Sequence, residues 1–168
     1  LDFNNIKQVE DAFKQYKDKI AAIIVEPVTG NMSVIKPTEE FINGLRTLCN
    51  KNKSLLIFDE VMTGYRVSHG GAQEFLNVQP DITTLGKVIG GGLPVGAYGG
   101  KNEIMSYVSP EGPVYQAGTL SGNPVAMAAG MAILKKLNGH PEIYEQVEQT
   151  TLQITEGINK ILSHQGLN

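Results

Sequence analysis

The chain has 168 residues, a formal net charge of −3, 41% hydrophobic residues and a single cysteine. That is the make-up of a globular domain, or part of one, and it argues against nucleic acid as the main partner, because no basic run is present. It also excludes an intramolecular disulfide. With three scattered histidines it gives no metal-ligand spacing, and no apolar stretch is long enough to span a membrane.

Ile6, Val9, Phe13, Tyr16 and Ile20 recur at helical spacing among charged residues, predicting a surface helix with one buried face. Ala21-Ala22-Ile23-Ile24-Val25 is a continuous apolar run, expected as a strand buried on both faces. Glu26-Pro27 ends it, since proline cannot donate to a ladder. A loop follows over 28–36. Thr38 is the expected N-cap of the next helix, with Glu39 and Glu40 in its first turn and Phe41, Leu45, Leu48 and Cys49 as its buried stripe.

Leu55-Leu56-Ile57-Phe58 is the second buried strand, ending at Asp59-Glu60. Strand, helix and strand joined by short links form a parallel crossover unit. Further extended pieces are expected at 82–85 and 94–98. Asn123-Pro124 supplies an N-cap and a first-turn proline for a helix over 125–137. Pro141 does the same for a long helix to about Leu162, with Ile143, Val147, Ile154, Ile158 and Ile161 as its inner face.

Chemistry gathers at three places. Asp59 and Glu26 each follow a buried strand, and in parallel α/β sheets ligands collect beyond the carboxyl ends of strands. Lys87 lies in a short turn, after apolar residues and before Gly90-Gly91-Gly92. A crowded apolar setting there would favour a neutral amine, while a carboxylate beside a heteroaromatic nitrogen would keep that nitrogen protonated. Those are the two demands of pyridoxal phosphate chemistry. Nucleotide templates fail. A P-loop needs glycine near Asp81 or Ile82 and a hydroxyl residue where Val88 stands. The dinucleotide fingerprint would need glycine at Val95. The stretch Gly118-Thr119-Leu120-Ser121-Gly122-Asn123-Pro124 suits either a phosphate at a helix N-terminus or helix capping alone.

Four ordered motifs carry a resemblance. Val25-Glu26-Pro27-Val28, the run from Phe58-Asp59-Glu60-Val61 to Tyr65-Arg66, Thr84-Leu85-Gly86-Lys87 with the glycines behind it, and Gly118 to Pro124 resemble the class III aminotransferases of pyridoxal phosphate fold type I. Within that family the chain is most similar to the glutamate-1-semialdehyde aminomutase branch, with Thr29-Gly30-Asn31-Met32 after the Glu-Pro and Tyr115-Gln116-Ala117-Gly118-Thr119 further on. Ser33, where glycine is expected, and Tyr65, where phenylalanine is usual, depart from the pattern.

The resemblance implies an α/β fold with a mainly parallel sheet flanked by helices. Residues 1–168 would form the C-terminal portion of the large domain, with its upstream part and a small C-terminal domain outside the chain. It implies pyridoxal 5'-phosphate as cofactor, with Lys87 as the Schiff-base lysine and proton shuttle and Asp59 as the partner of the pyridine nitrogen. Val61 would pack on one ring face, and Asn31 and Glu26 would lie near its hydroxyl side. Thr119 would bind phosphate across a dimer interface, with Tyr115 in the same shared region. The implied activity is intramolecular amino exchange on glutamate-1-semialdehyde, in a cytoplasmic homodimer of tetrapyrrole synthesis. An ordinary class III transaminase and a non-catalytic relative of the same fold are the alternatives.

Overall fold

A computed structural model describes residues 1–167. Its centre is a four-stranded sheet in the order β1 (Ala22–Val25), β2 (Leu55–Asp59), β3 (Ile82–Leu85) and β4 (Ala97–Gly100). The first three strands run parallel, and β4 is antiparallel to β3. The expected 94–98 segment therefore begins pairing three residues late, at Ala97, and reverses the strand direction.

One face of the sheet carries the core. Helix α1 (Ile6–Gln15) buries Val9 and Phe13, and α2 (Glu39–Asn52) buries Phe41, Ile42, Leu45 and Cys49. Both close over Leu56 and Phe58 of β2. Alternation along β2 sends those two side chains to the covered face. Helix α1 is shorter than its periodicity suggests. Tyr16 is already its C-cap, half exposed, and Ile20 packs from the following turn. Thr38 caps α2 as expected, its hydroxyl accepting from Phe41 N at 3.1 Å. Burial pushes the Cys49 thiol up to about 11, so it stays protonated at neutral pH.

Two expectations about burial are corrected. Strand β1 lies at the sheet edge, with Ile24 65% exposed, so it is not buried on both faces. Long helix α6 (Glu142–His164) buries no residue among those described. Val147, Ile154, Ile158 and Ile161, read as its inner face, are exposed because no described element packs against them. Periodicity identifies an apolar stripe but not what covers it. Helix α6 reaches the rest of the chain through Tyr144, whose hydroxyl donates to Tyr65 O at 3.3 Å.

Two short helices escape the apolar pattern, α3 (Gly71–Leu76) and α4 (Asn102–Met105). Helix α5 (Pro124–Gly139) starts as predicted, the Asn123 side chain accepting from Val125 N and Ala126 N. Among the described residues no helix is long and apolar enough to cross a membrane, and no group of three His, Cys, Asp or Glu side chains is gathered as for a metal ion.

Asp81 ties the amino end of β3 to its surroundings. Its Oδ2 accepts from Arg46 Nη1 and from Leu56 N, both at 2.8 Å, and its Oδ1 pairs with Lys101 Nζ at 2.6 Å. Burial alone would raise this carboxyl. The Leu56 N–H, Lys101 and Arg46 together outweigh it and hold the pKa below the ordinary 3.8. A depressed folded-state value means stability that is present above the ordinary pKa and lost as pH falls through the folded one. Asp81→Asn is expected to cost about 3 kcal/mol at neutral pH. The gap between variant and wild type should narrow below pH 3.8, as urea denaturation at pH 7 and pH 3 would measure.

Candidate active site

Because β1, β2 and β3 are parallel, their carboxyl ends share one edge of the sheet. Val25 pairs with Phe58 and Asp59 with Thr84, so Glu26 and Asp59 come side by side there. The chain leaving β3 passes through Gly86 to Lys87, the first residue of a short 3-10 turn, Lys87–Gly90. Strand register and one tight turn thus bring together three residues separated by up to 61 positions in sequence.

Asp59 is partly buried. Its Oδ1 accepts from Val61 N at 3.1 Å and from the Thr84 hydroxyl at 3.3 Å, while Oδ2 has no hydrogen-bond partner among the described residues. Glu26 is held in a local turn, its Oε2 accepting from Gly30 N at 2.7 Å. Val61 leans on the turn before the lysine. A Cβ added at Gly86 would come within 3.2 Å of Val61 Cγ1, so Val61 would have to shift for any larger residue there.

Lys87 differs from expectation in one respect. Its side chain is exposed, and the crowded apolar setting read from the sequence is not supplied by the described residues. Nζ has no ion-pair or hydrogen-bond partner among them. Its backbone is in the left-handed region, φ 45, which costs an L-residue about 1–2 kcal/mol. Of the glycines behind it, Gly91 serves packing. Gly91 has φ 59, and a Cβ on it would lie 2.6 Å from Ala129 O of α5. Gly130 of α5 in turn meets Ile89 O of the turn. The turn and α5 approach backbone to backbone, which holds Lys87 at its position.

Asn31 is exposed in the 29–35 loop, which Thr29 closes by accepting from Ile35 N at 3.0 Å. Ser33, the departure from the family pattern, takes φ 64, where glycine is favoured. Tyr65, the other departure, takes φ 55. Thr119 and Tyr115 are not brought to the Lys87 edge. Thr119 is exposed in the loop before α5, Tyr115 is 82% exposed, and among the described residues no hydrogen bond joins either to Asp59 or Lys87. The neighbouring residues Gly118, Leu120 and Ser121 line a cavity of about 240 Å³ with Pro94, Val95 and Gly96.

A residue that the sequence reading passed over is Glu60. It is 1% exposed and accepts from Ala72 N, Gln73 N, the Gln73 amide and the Thr63 hydroxyl. Its carboxylate caps α3 and fixes residues 60–72 behind Asp59. Its place beside Asp59 in the Asp-Glu pair was the available signal, but its partners lie up to 13 residues away.

Known proteins resemble the chain along nearly its whole length. The family model for aminotransferase class-III matches residues 3–167. The chain is 58% identical, over 95% of its length, to glutamate-1-semialdehyde 2,1-aminomutase 2 of Lachnoclostridium phytofermentans. It is 56% identical, over 96%, to glutamate-1-semialdehyde 2,1-aminomutase of Flavobacterium psychrophilum. It spans 37% and 38% of those proteins' lengths. Among solved structures, an omega-transaminase from Sphaerobacter thermophilus superposes with a TM-score of 0.90 at 36% identity, over 98% of this chain and 37% of that one. A transaminase with PLP bound superposes with a TM-score of 0.92 at 30% identity, over 100% of this chain and 40% of that one. With the family model covering nearly every residue, the chain belongs to the class III aminotransferases.

Proposed function

We propose that residues 1–168 are the C-terminal portion of the cofactor-binding large domain of a longer, cytoplasmic glutamate-1-semialdehyde 2,1-aminomutase, and that the protein uses pyridoxal phosphate to make 5-aminolevulinate. The observation that carries the reading is the sheet edge itself, where the Lys87 amine and Asp59 Oδ2 have no partner among the described residues. The uncovered apolar residues of β1 and α6 support a chain that continues into a larger fold. The identity of 55–58% to aminomutases, against 36% to the omega-transaminase structure, favours the mutase over an ordinary transaminase.

The residues suit the cofactor chemically. Bound there, pyridoxal phosphate supplies an electron sink for a carbanion beside the reacting amine. Lys87 would hold it covalently and carry protons between carbons. Asp59 would keep the ring nitrogen protonated through charge pairing. Val61 would cover one ring face, and Glu26 and Asn31 would orient groups on its hydroxyl side. Thr119, with Tyr115 nearby, would take the phosphate of a neighbouring subunit's site in a homodimer.

The mutase moves an amino group within one molecule, so it needs no second substrate. The longer protein is expected to convert glutamate-1-semialdehyde to 5-aminolevulinate with no added amino acceptor, followed by colorimetric detection of product. Turnover only when a keto acid or amino donor is supplied would assign it instead to the ordinary transaminases.

A further inference from the structure

We propose that Thr84 is a positioning residue that sets the Asp59 carboxylate in one orientation and reserves its Oδ2 for the protonated ring nitrogen of the cofactor. The inference rests on the function proposed above. The terminal torsion of an aspartate side chain is broad, so one hydrogen bond leaves the carboxylate free to rock. Here two donors meet on the same oxygen from different parts of the chain. Val61 N reaches Oδ1 from the turn that follows the strand, at 3.1 Å. The Thr84 hydroxyl reaches it from the neighbouring strand, at 3.3 Å. That is long for an O–H···O bond, and the Val61 N–H is the firmer of the two donors.

Register makes the second contact a fixture. Asp59 and Thr84 are partners in the β2–β3 ladder, and Glu60 N donates to Thr84 O at 3.0 Å. Threonine is stiff at χ1, so its hydroxyl stays where the strand puts it. Its neighbour Thr83 points to the opposite face, where its hydroxyl accepts from Gln73 Nε2 at 3.2 Å. The two adjacent threonines therefore divide their work, one toward helix α3 and one toward Asp59. If Thr84 served strand packing alone, valine would replace it without loss.

The test uses the longer protein with pyridoxal phosphate, comparing wild type, Thr84→Val, Thr84→Ser and Thr83→Val. Thr84→Val is expected to weaken pyridoxal phosphate binding roughly tenfold and to shift the pH midpoint of the bound cofactor's visible band. Thr84→Ser, which keeps the hydroxyl, should stay within about twofold of wild type, and Thr83→Val should leave the midpoint in place. If Thr84→Val does not accumulate as folded protein, Thr84→Ala makes the same comparison. A Thr84→Val protein that binds and titrates like wild type, or a Thr84→Ser protein that loses as much, overturns the assignment. A wild type that does not attach pyridoxal phosphate at Lys87 removes the underlying functional reading as well, so the two failures are distinct.

Discussion

Lys87→Ala is expected to abolish covalent attachment of pyridoxal phosphate and to lower turnover by at least about a thousandfold, because in the proposed function one amine both anchors the cofactor and moves protons. Borohydride reduction of the holoprotein followed by peptide mapping would read the attachment directly. Label on any other lysine would contradict the assignment. The fold should survive the change, since the side chain is exposed and has no partner among the described residues.

A second variant separates chemistry from stability at this position. Lys87 holds φ 45, where glycine carries no Cβ penalty. Lys87→Gly should therefore be as inactive as Lys87→Ala, yet more stable than it by up to about 1 kcal/mol in urea denaturation. A lysine kept in a conformation that glycine prefers is strain retained where the side chain is needed. Equal stability of the two variants would show that the turn relaxes once the lysine is gone.

Glu60→Ala is expected to have the largest effect on stability, about 3–5 kcal/mol from several donors left unsatisfied at once. The carboxylate is buried, and removing it leaves the buried Ala72 N–H and Thr63 hydroxyl and the half-buried Gln73 N–H without their acceptor, while the Gln73 amide keeps Thr83. Gly71, at φ 70, lies against the same carboxylate, which a Cβ at that position would meet. Glu60→Gln should be milder but still costly. Its NH₂ faces donors where an acceptor is required. Thermal denaturation of the two variants checks the order. A Glu60→Ala protein melting with wild type would mean that residues 60–72 hold without their cap.

Much of the frame was legible because its signals are local. The Thr38 cap, the proline after Asn123 and the apolar runs at 21–25 and 55–58 act within a few residues, and each element formed within a residue of where they predict. Helix α3 was not legible, because the side chain that caps it comes from Glu60, twelve residues before Ala72. The exposure of Ile24 and of the α6 stripe was illegible for a related reason. Apolar spacing reports that a face needs covering, while the cover belongs to another part of the fold.

The same division runs through the site. The sequence by itself determined the candidate groups of the proposed site, since Lys87, Asp59 and Glu26 stand in motifs whose spacing depends on neighbours in the chain. Tertiary structure decided how they act together. Parallel register set Asp59 beside Thr84, and the close approach of Gly91 and Gly130 seated the lysine turn on α5. It also left Lys87 exposed, against the crowded setting its apolar neighbours suggest. Residue type fixes which bonds a side chain can make, but hydrogen-bond pairing between distant strands chooses the partner, and no local spacing encodes that choice.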